Sequence, residues 1–148
     1  PLTMLLHIYR YYPKGNIWIF FLLAVIFASD TGAFYAGKFF GKHKLYEAIS
    51  PGKTWEGAVG GLISSLMMAF FFLKIIALHR LDSNILIMAA SLSVAGQLGD
   101  LSESMLKRNY GIKDSGHILP GHGGILDRID GLLFGIPVLY VYLSFSII

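Results

Sequence analysis

The chain has 148 residues, of which 55% are hydrophobic and 14% charged, where an ordinary soluble domain carries roughly a quarter charged residues. With a mean hydropathy of +0.62, that balance excludes a water-soluble globule and makes the bilayer the expected solvent. The absence of cysteine excludes a disulfide framework and thiolate metal sites, and with a net charge of only +3 no nucleic-acid partner is expected.

The chain opens at Pro1 on Leu-Thr-Met-Leu-Leu, without the ordered basic segment, apolar core and cleavage site of a signal peptide, so it reads as a fragment. Residues 2–12 read as the tail of an earlier span, and Tyr9, Tyr11 and Tyr12 suit a membrane interface. Four segments then reach the length of about 20 apolar residues that a helix needs to cross hydrocarbon. They are residues 17–39, 56–78, 85–106 and 127–148. In the second, Gly57, Gly61 and Ser65 fall four apart on one helical face, which predicts close helix packing there. No repeat or linker divides residues 1–148, so the expectation is one all-α polytopic transmembrane helical bundle. Four crossings bring the loops at 40–55 and 107–126 to one membrane face. That face collects eight of the lysines and arginines against four on the other. The bias predicts a cytoplasmic motif face in an inner or plasma membrane.

Acidic residues in the spans carry the chemistry. Asp30 lies about 12 Å inside the loop-side end of the first span at Lys38, by the helical rise. On the third, Gln97, Asp100, Ser104 and Lys107 recur at spacings of three, four and three along one face, with Glu103 beside the stripe. The fourth begins with Asp127 and Asp130 one turn apart, Arg128 between them. A carboxylate in hydrocarbon costs several kcal/mol unless it pairs, binds a cation or meets water. Ion pairs with Lys107, Arg108 and Arg128 account for single acids. Acids concentrated at one depth repel unless a cation sits among them. Carboxylate oxygens completed by water and phosphates describe a magnesium site, with a second cation plausible beside it.

The glycine run Leu119-Pro-Gly-His-Gly-Gly124 leads into the fourth span, whose first amides have no helical partners and suit phosphate. Ser50-Pro-Gly-Lys-Thr-Trp-Glu-Gly57 ends like a P-loop but lacks its first glycine and a preceding strand, so a Walker motif is rejected. What remains is a helix start at Thr54, with Glu56 in its first turn. Ser50, Lys53 and Thr54 face the other motif loop; simple capping is the alternative for Thr54.

The run from Ser104 to Asp130, read as Ser-x-apolar-Lys-Arg, Lys-Asp, Gly116, Leu119, Pro120, His-Gly-Gly and Asp-Arg-apolar-Asp, resembles the signature of the phosphatidate cytidylyltransferases, also called CDP-diacylglycerol synthases. Ser29-Asp-Thr-Gly-Ala-Phe, Gly37-Lys-Phe-Phe-Gly-Lys and the Ser50 block are similar to that family's other blocks, in the same order. The resemblance implies CTP and phosphatidate as substrates, Mg2+ as cofactor, surrounding membrane lipids and a homodimer. It also implies longer chains with further spans before the matched region. Asp100 and Asp127 would then be metal ligands, with Asp130 completing or orienting that set. Lys113, Arg128 and the Gly123 and Gly124 amides would hold CTP phosphates, with Lys107 and His122 nearby on substrate. Ser50, Lys53 and Thr54 would meet phosphate from the opposite loop, and Asp30 would complete the polar cavity. A phosphomonoester nucleophile is already ionised, so His122 is not needed as a base. The alternatives are a CTP-dependent polyprenol or phytol kinase and a cation transporter.

Overall fold

A computed structural model of the chain describes residues 1–47, 50–75, 83–111 and 126–146, the backbone alone at 83, 126–128 and 146. Its elements in chain order are α1 (Leu2–Tyr11), α2 (Gly15–Phe40), β1 (Lys44–Tyr46), β2 (Ser50–Thr54), α3 (Trp55–Ile75), α4 (Ser83–Asn109) and α5 (Leu126–Ser146). Three helices, α2, α3 and α4, are long and apolar enough to cross a membrane, while α5 contributes a shorter apolar run, Ile129–Phe145. The chain is thus an all-α membrane protein, with helices over each of the expected spans.

The break between α1 and α2 follows from Pro13. Tyr12 before it is extended, at φ −95° and ψ 139°, as a residue preceding proline prefers. Lys14 then takes the left-handed conformation, φ 56°, and reverses the chain into α2.

The buried residues show how the helices meet. On α3 they recur every fourth position, at Gly57, Gly61, Ser65, Ala69 and Leu73. They are small near the β-strand end and larger toward the other. On α2 the buried set is Gly15, Phe21, Leu22, Val25, Ile26 and Ser29. The apolar core, with Met88, Leu92, Leu139 and Leu143 from α4 and α5, therefore gathers away from the strands. The strand end is where small residues let backbones approach. A side chain added at Gly32 would collide with Ser64, and one at Gly60 with Ala36. Lipid offers little hydrophobic drive between helices, so such close van der Waals contact holds the pair. Outward faces carry Phe20, Phe27, Ile63, Met67 and Phe71, each more than half exposed. An apolar surface of this kind is what hydrocarbon accepts.

One feature departs from the expected loop at 40–55. The segment forms a two-stranded antiparallel sheet, Lys44 opposite Thr54 and Tyr46 opposite Ser50. Helix α3 begins at Trp55, directly after β2. The hairpin is tied to α3 at its base. Trp55 N–H donates to the His43 carbonyl at 3.0 Å. His43 N–H in turn donates to both Glu56 carboxylate oxygens at 3.2 Å, and its Nδ1 lies 2.6 Å from Glu56 Oε1. Lys44 Nζ closes the hairpin on the Pro51 carbonyl at 2.5 Å.

Candidate active site

Asp30, Lys53, Gln97 and Asp100 line one cleft of about 220 Å³, walled by Phe34, Leu45 and Leu101. Three elements supply these side chains, α2, the hairpin and α4, and Gly57 and Ala58 of α3 complete the lining. The hairpin matters most, because β2 delivers Lys53 to α4. Its Nζ lies 2.6 Å from Asp100 Oδ2. The lysine is mostly covered and Asp100 is half exposed, so the pair sits at the rim of the cleft rather than beneath it.

Thr54, next along β2, is 5% exposed, and its Oγ1 accepts the Gly57 N–H at 3.1 Å. Its hydroxyl therefore caps α3. Ser50 begins the same strand and is partly exposed.

Beside Asp100 stand two further acids. Ligand oxygens of Asp100, Glu103 and Asp130 all lie within 4.8 Å of one another. Glu103 is 6% exposed, and Lys107, one turn along α4, approaches its Oε1 at 3.6 Å. Asp130 Oδ1 accepts the Gly131 N–H at 2.7 Å. Its Oδ2 is shielded from solvent and has no hydrogen-bond partner among the described residues. Three carboxylates so close, one with a shielded free oxygen, fit a hard divalent cation that takes oxygen ligands. Histidine and cysteine are absent from this described cluster, so the donor set does not suit zinc.

Of the residues predicted from sequence, the structure thus brings together Asp30, Lys53, Asp100, Asp130 and Lys107. It adds Glu103, whose position beside the polar stripe does not by itself mark it for the metal set. Asp127 and Arg128 lie in the first turn of α5, with side chains outside the described residues. Lys113, His122, Gly123 and Gly124 also lie outside the described residues.

A second polar system runs deeper into the bundle. Ser29 Oγ on α2 and Ser93 Oγ on α4 share a buried hydrogen bond of 2.7 Å. One turn nearer the cleft, Gln97 Nε2 donates to Ser93 Oγ at 3.3 Å and to the Ala58 carbonyl of α3 at 3.2 Å.

An apolar helical bundle with a basic strand residue and clustered acids gathered at one cleft defines an integral membrane protein. Comparison with known proteins narrows that class. Residues 1–146 match the cytidylyltransferase family, and the chain belongs to it. It is 50% identical over 130 residues to the phosphatidate cytidylyltransferase of Bacillus subtilis (strain 168), covering 88% of this chain and 48% of that protein. It is 46% identical over 138 residues to the phosphatidate cytidylyltransferase of Staphylococcus saprophyticus, covering 93% of this chain and 53% of that one. The Staphylococcus aureus (strain COL) enzyme of the same name is 46% identical over 130 residues, 88% of this chain and 50% of the relative. The chain thus spans about half the length of the curated relatives it matches.

Proposed function

We propose that the protein transfers a cytidylyl group from CTP to phosphatidate, giving CDP-diacylglycerol and pyrophosphate. The observation that carries this reading is the meeting of Lys53 with the Asp100, Glu103 and Asp130 cluster in a chain of the cytidylyltransferase family. In the reaction a phosphate oxygen of phosphatidate forms a bond to the α-phosphorus of CTP. The bond from that phosphorus to the bridging oxygen breaks, and pyrophosphate leaves. No proton has to be removed from an ionised phosphate, so the residues need only position and neutralise charge.

Asp100 and Asp130 would hold Mg2+, with Glu103 adjoining them, and Asp127 would join them on the strength of the sequence signature alone. The ion would draw charge from the phosphate oxygens and the departing pyrophosphate. Lys53 supplies a positive charge at the same rim. With Asp100 engaged elsewhere, its ammonium is available to a phosphate oxygen. Asp30, across the cleft, keeps the cavity polar at the depth where a lipid headgroup enters. Lys113, Arg128, His122 and the Gly123 and Gly124 amides would hold nucleotide phosphates from the facing loop, on the strength of the sequence signature alone. The distribution of lysine and arginine favours a cytoplasmic mouth, where CTP is available.

Incubating membranes that carry the protein with phosphatidate and CTP labelled at the α-phosphate tests the reaction. Label entering the lipid fraction is the expected result. Label retained in CDP would indicate γ-phosphoryl transfer to a lipid alcohol instead, and would overturn the proposal.

A further inference from the structure

The polar contacts of α4 form a ladder. Ser93, Gln97 and Asp100 fall at spacings of four and three, on one face of the helix. Each reaches a different neighbour: Ser93 holds Ser29 of α2, Gln97 holds the Ala58 carbonyl of α3, and Asp100 holds Lys53 of β2. The middle rung has a particular geometry. Both donated bonds of Gln97 come from one amide nitrogen, which carries two hydrogens, so the side chain is held at two points. Ala58 lies in the first turn of α3, and Lys53 lies just before that helix, with the buried cap Thr54 between. Asp100 is three residues beyond Gln97. The bond from Gln97 to Ala58 therefore ties α4 to the start of α3, about one turn below the point where Asp100 meets Lys53 on the strand that runs directly into α3.

We infer that Gln97 is a positioning residue for the transfer site, setting the separation of α3 and α4 that brings the Lys53 ammonium to the Asp100 carboxylate. The inference rests on the proposed reaction for its kinetic test only. Gly61 fits this role: a Cβ there would lie 2.9 Å from Gln97 Nε2, so the small residue leaves space for the amide to cross to α3. The amide is partly buried at the floor of the cleft, and its nitrogen donates to a backbone carbonyl and a hydroxyl oxygen.

The test uses Gln97→Met, which keeps length and removes both N–H donors, and Gln97→Glu, which keeps shape, should the first fail to insert. Two readouts are needed. The first is reactivity of the Lys53 amine toward an acylating reagent, followed by mass spectrometry with exposed Lys42 as reference. Lys53 Nζ is shielded from solvent, so either variant is expected to raise its labelling several-fold relative to Lys42. Unchanged labelling overturns the inference, whether or not the protein turns over CTP. The second is a double-mutant cycle on cytidylyl transfer. Gln97→Met alone is expected to lower kcat about tenfold with the KM for CTP nearly unchanged, since it misplaces a charge that acts on the reacting phosphates. In a Lys53→Ala background it is expected to add less than about twofold, because the group it positions is already gone. Full additivity, or an unchanged kcat in an active parent, overturns the inference and leaves the proposed reaction standing. An inactive parent counts against the proposed reaction, and the labelling result then decides the role of Gln97.

Discussion

Lys53 on the second hairpin strand and Asp100 on α4 lie 2.6 Å apart, Nζ to Oδ2, joining a surface strand to a helix that crosses the bundle. The pair is partly open to solvent, and ion pairs of that kind contribute about 0–1 kcal/mol to stability. Its worth lies in what each partner can be given to.

Lys53→Ala is therefore expected to leave the protein inserted and folded while removing a charge from the phosphates. A charge-assisted contact of about 2–3 kcal/mol corresponds to a loss of roughly 30- to 150-fold in kcat/KM. Steady-state incorporation of labelled CTP into lipid, alongside thermal melting in detergent, checks both halves. A fall in melting temperature matching the activity loss would mean the pair is chiefly structural.

Asp100→Asn keeps the shape of the side chain but removes its charge. Turnover is expected to fall by about a hundredfold or more, as for loss of other groups that stabilise transition-state charge. The accompanying measurement is Mn2+ binding by electron paramagnetic resonance. Weaker Mn2+ binding is expected with the fold intact, and unchanged binding together with full turnover would remove Asp100 from the metal set.

Glu103→Gln probes the most buried acid of the cluster. A group orienting a metal ligand typically accounts for about 10- to 100-fold in affinity or activity. A shift of the Mg2+ concentration giving half-maximal rate by that factor is expected. An unchanged Mg2+ requirement would remove Glu103 from the metal set.

Metal removal gives the broadest check. Treating the membranes with a chelator is expected to abolish transfer, and added Mg2+ to restore it, whereas Na+ is not, because three clustered carboxylates favour a divalent cation. Transfer that persists through chelation would dismiss the cation altogether.

The helices were legible because hydrocarbon imposes a length and a composition that a sequence cannot disguise. Residues 17–39 correspond to α2 at Gly15–Phe40, and 85–106 to α4 at Ser83–Asn109. The packing face of α3 was legible too, since Gly57, Gly61 and Ser65 announced it by size and spacing. The hairpin was not. Its strands are short, three and five residues, and read Lys-Leu-Tyr and Ser-Pro-Gly-Lys-Thr, without the alternating apolar pattern by which strands are recognised. It is tied at its base by His43 on Glu56, a contact across thirteen residues that no local pattern records. Glu103 was passed over for a related reason. On a helix drawn alone it sits to one side of the stripe through Asp100, and only the arrival of Asp130 from α5 turns that side into part of the cluster.

The seam between α2 and α3 restricts how this chain can drift. Where Gly32 faces Ser64 and Gly60 faces Ala36, neither glycine can gain a side chain while its partner stays in place. Among family members, position 32 is therefore expected to stay glycine, since an added Cβ would also meet the Gly60 carbonyl at 2.8 Å, while residue volumes at 60 and 36 are expected to vary inversely, as a compensated pair. The hairpin that carries Lys53 connects these two helices, so the same compensation would keep the lysine in reach of Asp100 as the surrounding sequence changes.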